Sequence, residues 1–173
     1  GESYQALGKA YSKLRKLENA LDSTVKALRI RKLKFGNDSI DCALSLLQLG
    51  EIQVALGRST EALKCFTEAL RVLTLLKGKK DITVGETLEK IGSAYLSQGD
   101  FDKSMSNLKG SLSICRDRLG DSSTQVANIL LMMGQVESKR GNSDSSISFF
   151  KQSLKISKEH GLVKDVATVL LEV

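Results

Sequence analysis

Proline and tryptophan are both absent from the 173 residues, and aromatic side chains make up only 5%. Folds built from many short strands depend on turn residues and aromatic packing, so this balance disfavours a β sandwich and favours long uninterrupted helices. There is one histidine, His160, beside Gly161 where a helix would end, and triads or acid–base relays need a positioned partner for such a ring. Three scattered cysteines, Cys42, Cys65 and Cys115, form no C-x-x-C pair, so they read as small core residues of a reducing compartment rather than as a zinc or redox site. No apolar run approaches the roughly 18 residues that would cross a bilayer, and the basic-then-apolar order of a secretory signal is missing. The chain therefore reads as intracellular, in the cytoplasm or an organelle interior. With no phosphate-cradling loop either, no reaction, cofactor, metal or small-molecule substrate is assigned.

What is present is material for a core, since 41% of residues are hydrophobic and 27% charged. It is also periodic. Gly8, Gly50, Gly92 and Gly134 stand 42 residues apart, and the same step joins Leu28, Leu70, Leu112 and Leu154. Two further glycine columns, Gly36/Gly78/Gly120 and Gly57/Gly99/Gly141, keep that period, as does a small-residue column of Ala20, Ala62, Ser104 and Ser146. Four copies of one unit follow, at 1–36, 37–78, 79–120 and 121–162, with a fifth opening at 163–173.

Within each unit the apolar spacing is helical, as in Tyr4, Leu7, Gly8 and Tyr11 followed by Leu21, Ala27 and Leu28. Glycine followed by Ser, Asp or Asn separates the two stretches, because glycine ends one helix in the left-handed conformation and the polar residue caps the next. The pattern predicts helices at 2–15, 18–34, 39–56, 60–77, 81–98, 102–119, 123–140 and 144–160, and a ninth from about 163. Each unit is then an antiparallel helix hairpin, and stacked hairpins make an all-α solenoid. The Gly8 column should meet the Ala20 column where paired helices approach most closely. Neither end carries a polar cap, so either the chain is a piece of a longer array, the favoured reading, or a partner or a symmetry mate covers these ends.

An apolar–Gly pair, then a small residue, an aromatic or apolar residue and another small one, stands as Leu49, Gly50, Ala62, Phe66 and Ala69 in the clearest copy. In the first copy the matching set is Leu7, Gly8, Tyr11, Ala20 and Ala27. This resembles the tetratricopeptide repeat, and the 42-residue period resembles its kinesin light chain-like subclass. The resemblance implies a right-handed superhelix whose concave groove binds a protein segment. The closing proline of that repeat is replaced by Lys32, Thr74, Arg116 and Lys158, and its backbone-gripping asparagine by Ala6, Gln48, Lys90 and Met132. The set that holds a C-terminal carboxylate in chaperone-binding members does not match at Gln5, Lys9, Gln48, Glu86 and Lys90.

At 100° per residue, the side of each first helix opposite its core stripe should line the groove. That side carries Gln5, Lys9 and Ser12, then Leu44, Leu47, Gln48, Glu51 and Val54, then Glu89, Lys90, Ser93 and Leu96, then Leu131, Gln135 and Ser138. Leu44, Leu47 and Val54, with Leu96 and Leu131, read either as an apolar floor for a partner or as packing between repeats. The net charge of +6 is local: residues 1–36 hold nine Lys/Arg against three Asp/Glu. Lys26, Arg29, Arg31, Lys32 and Lys34 form a basic patch suited to an acidic partner. The reading is an interaction scaffold or adaptor for a protein or peptide segment, apolar or acidic. A permanent subunit of a larger complex is the alternative, and an RNA-binding solenoid or a membrane-surface protein is the weaker one.

Overall fold

A computed structural model of the chain describes residues 2–160, with side chains from residue 14 onward. Among the described residues are seven helices and no strand: α1 (Glu2–Phe35), α2 (Ile40–Ala55), α3 (Ser59–Lys77), α4 (Ile82–Gln98), α5 (Phe101–Leu119), α6 (Thr124–Arg140) and α7 (Ser143–Glu159). From α2 to α7 the expected boundaries hold to within one residue at each end. The ninth helix expected near 163 lies outside the described residues.

The boundaries hold because the same local chemistry recurs. At the end of α4, Gly99 takes φ 78°, its N–H donates to Leu96 O at 3.1 Å, and Asp100 N–H donates to Tyr95 O at 3.0 Å. That pair of bonds satisfies carbonyls the helix itself cannot, and the left-handed residue is one a Cβ would strain. Gly57 and Gly141 end α2 and α6 with the same pair. The following helix is then started by a side chain: Asp100 accepts from Lys103 N–H at 3.2 Å, as Asp81 does from Thr83 N–H at 2.9 Å and Ser123 from Val126 N–H at 3.3 Å. Asn142 departs from this pattern: instead of capping α7, its side-chain N–H donates to Glu137 Oε2 at 2.6 Å.

The first copy corrects the sequence expectation. The period predicts a hairpin of helices at 2–15 and 18–34, yet α1 is one helix of 34 residues. In the columns of Gly99 and Asp100 the first copy has Arg15 and Lys16. Neither supplies a left-handed terminator or a capping oxygen, and Arg, Lys, Leu and Glu across 15–18 are all good helix formers. The backbone therefore runs on.

The chain forms two compact units, Gly1–Leu76 and Lys77–Val173. In the first, Leu28 of α1 packs with Cys42, Leu46 and Leu49 of α2 and Ala69 of α3. In the second, α4–α5 and α6–α7 are hairpins around Leu108, Cys115, Val126, Ile129, Leu130 and Val136. The glycine and small-residue columns do meet: Ser104 Oγ donates to Gly92 O at 2.8 Å and Ser146 Oγ to Gly134 O at 3.0 Å. A second column, Phe66, Leu108 and Phe150, fills the notch beside each glycine. A Cβ at Gly92 would sit 2.8 Å from Leu108 Cγ, and at Gly50 or Gly134 it would run into the ring of Phe66 or Phe150.

Candidate protein-binding surface

The outward stripe of α2 follows from its registration. Cys42, Ala43, Ser45, Leu46, Leu49 and Gly50 are buried, which leaves Leu44, Gln48, Glu51 and Val54 on the exposed side. Leu44 and Val54 remain 47% and 42% exposed, two aliphatic side chains about three turns apart on one helix. Leu47 is placed differently: it is half-buried against the α1–α2 core, so packing claims much of its surface. Gln48 and Glu51 line a groove of about 390 Å³ between α1 and α2, together with Leu17, Thr24, Ile52 and Ala55. Gln5, Lys9 and Ser12 fall outside the described side chains.

In the second unit the corresponding stripe is less open. Glu89, Lys90, Ser93 and Leu96 of α4 are half-buried, as are Leu131, Gln135 and Ser138 of α6. Leu96 packs against the core. Gln125 of α6 donates to Glu89 Oε2 at 2.5 Å and ties the two helices together. Burial pushes the Glu89 carboxyl up from the usual range, and the nearby Glu86 adds to this, while the Gln125 hydrogen bond and Lys90 oppose it. Periodicity gives no hint of Gln125, because its column otherwise holds Asp41, Thr83 and Ala167.

The basic patch is divided. Lys26 pairs with Asp22 one turn back at 2.6 Å, an exposed pair that contributes little. Arg31 is half-buried and donates to Ser45 Oγ of α2, so it joins α1 to α2 instead of facing a partner. Arg29, Lys32 and Lys34 are exposed, the last lying 5.1 Å from the Phe35 ring centroid. His160 ends α7 and its Nε2 lies 2.5 Å from Ser122 O, a bond that requires this nitrogen to carry the proton. Burial raises the thiols of Cys65 and Cys115 above their ordinary value, which suppresses the reactive thiolate. No described helix is long and apolar enough to cross a membrane.

Recurrent helix pairs with one glycine-notched interface define a helical-repeat protein, a class whose stacked units create extended binding surfaces. The tetratricopeptide repeat model matches residues 2–74 and 83–159, and the chain belongs to that family. The repeat is in general a scaffold for protein–protein interaction, typically without enzymatic activity, and its domains bind protein or peptide partners. No curated protein matches the chain. Among solved structures it is similar to BtubC (BKLC) from P. vanneervenii, with TM-score 0.78 and 19% identity over 90% of this chain. It spans 62% of the length of BtubC. It is also similar to the kinesin light chain nearly identical TPR-like repeats of Podosopora anserina, with TM-score 0.74, 13% identity, and coverage of 91% of this chain and 75% of that one. The N-terminal domain of stress-induced protein-1 (STI-1) from C. elegans matches with TM-score 0.57 and 17% identity, over 75% of this chain and 95% of that one. At these identities the likeness is one of fold.

Proposed function

We propose that the chain is an adaptor that holds a segment of another protein on the outward stripe of α2. The observation that carries this is the pair Leu44 and Val54, each more than two-fifths exposed. Gln48 and Glu51 lie on the stripe between them. Such a surface suits an amphipathic or extended segment: the aliphatic side chains supply burial, and the amide and carboxylate set orientation. Fully covering both side chains would yield about 1–2 kcal/mol, enough to select a segment but not to hold it permanently. Leu131, Gln135 and Ser138 on α6 offer a second, more polar stripe of the same kind.

The test is selection from a random peptide display library on the wild-type chain, followed by titration of the winners against Leu44→Glu/Val54→Glu. Both positions are exposed, so thermal unfolding should be unchanged while peptide affinity falls at least tenfold. Binders indifferent to both substitutions, or no enrichment above an unrelated helical protein, would overturn the assignment. The latter result would favour a permanent subunit.

A further inference from the structure

The groove between α1 and α2 has a counterpart in the second unit that is not a groove. Moving 84 residues along, two repeats, Leu17, Thr24, Gln48, Glu51 and Ile52 become Phe101, Leu108, Met132, Gln135 and Val136. There α4 is paired with α5 and bonded to α6, and these residues are covered: Leu108 and Val136 are fully buried, while Phe101 and Met132 pack on the core. In the first unit Gln48 and Glu51 are instead exposed. The seat is built, and among the described residues no helix lies over it as α4 does in the other unit.

The occupant is specified by the seat. Over the second unit's version lies α4, which presents Leu88, Ile91, Gly92 and Tyr95, with Gly92 notched for Leu108. The first copy carries the same column chemistry in Tyr4, Leu7, Gly8 and Tyr11. That segment cannot turn back onto its own groove, because α1 is helical from Glu2 through Arg15 and Lys16 to Phe35. Burying the seat would orphan nothing at Thr24, whose hydroxyl already donates to Ala20 O at 2.8 Å.

We propose that two copies of this chain exchange these segments, residues 2–15 of each lying in the α1–α2 groove of the other. The exchange is reciprocal, so it closes as a two-fold dimer and leaves no seat open for further addition. The unbroken helix at Arg15 and Lys16 is what sets the exchange, since a turn there would let each segment fill its own groove. This goes beyond the adaptor reading but draws on two of its residues, Gln48 and Glu51, so exchange and peptide binding compete: self-association is read by mass, and peptide titration is done at concentrations where the chain is monomeric.

Multi-angle light scattering on the full chain, from low to high micromolar concentration, is expected to give a dimer that dissociates on dilution. Arg15→Gly/Lys16→Asp installs the glycine and cap found at Gly99 and Asp100, so the mass should halve while far-UV circular dichroism persists. Leu7→Asp, which spoils the donated face, should halve it too and decides the matter if the hinge variant does not fold. A wild-type chain that is monomeric throughout overturns the exchange. So does a dimer that survives both variants, which would mean that the copies meet through another face.

Discussion

Replacing Gly50 with alanine sets two opposed effects against each other. Gly50 is inside α2, where alanine should gain about 1 kcal/mol from backbone entropy. It is also buried, and its new Cβ would enter the space of the Phe66 ring, which is 1% exposed and has no open side to move into. Overpacking of this kind costs about 1–3 kcal/mol, and overlap with a ring held on all sides belongs at the upper end, so the net loss should be about 1–2 kcal/mol. Gly110 is the control: it too is mid-helix, and its Cβ would lie 3.3 Å from one terminal methyl of Leu88, a tight contact that this half-buried side chain relieves by shifting a few tenths of an ångström, so Gly110→Ala should stabilise by about 0.5 kcal/mol. Urea unfolding of both variants reads the two signs directly. Adding Phe66→Ala, which removes the ring that the new Cβ would enter, should show about 1 kcal/mol of favourable coupling with Gly50→Ala in a double-mutant cycle. An additive cycle, or a Gly50→Ala chain as stable as the wild type, would refute the notch.

Two pH effects of opposite sign are expected. The Glu89 carboxyl is raised in the fold, mainly by burial, so its charged form is penalised there. The penalty is absent below the ordinary glutamate value and complete once pH exceeds the raised one. Glu89→Gln should therefore raise the urea midpoint at neutral pH and lose that advantage in acid; an equal gain at both ends would rule out burial as the cause. Asp100 is held low by hydrogen bonds from the Lys103 side chain and backbone N–H, so its contribution is present above the ordinary aspartate value and lost as pH falls through the lowered one. Asp100→Ala should weaken the chain at neutral pH and make little difference in strong acid, as followed by thermal melts across that range.

Where hairpins form, the glycine columns carried the architecture, because a left-handed residue and a capping oxygen act within a few residues and need no tertiary information. The first copy broke the rule for a reason visible in the same columns. Arg15 and Lys16 stand where the turn chemistry should be, and extending the period over them put a break where none of its causes was present. Surface assignments were less legible. Helical phase separates the two sides of α2, yet it cannot say that Leu47, near the edge of the stripe, packs against the core while Leu44 and Val54 do not. Nor could spacing show that Arg31 joins two helices while its neighbours Arg29 and Lys32 face solvent, since that depends on Ser45 being opposite it. The role of Phe66, Leu108 and Phe150 lay in a column whose fourth member, Thr24, differs in kind.

The continuity of α1 is the claim on which the open groove rests. It is tested by spin labels at Lys9→Cys and Lys26→Cys, diluted with unlabelled chain so that only intramolecular distances are read. An unbroken helix separates these backbone positions by about 26 Å at 1.5 Å per residue. A hairpin would bring them to roughly 10 Å, the spacing of packed helices. A single long-distance peak is the predicted result, and a dominant short one would contradict it.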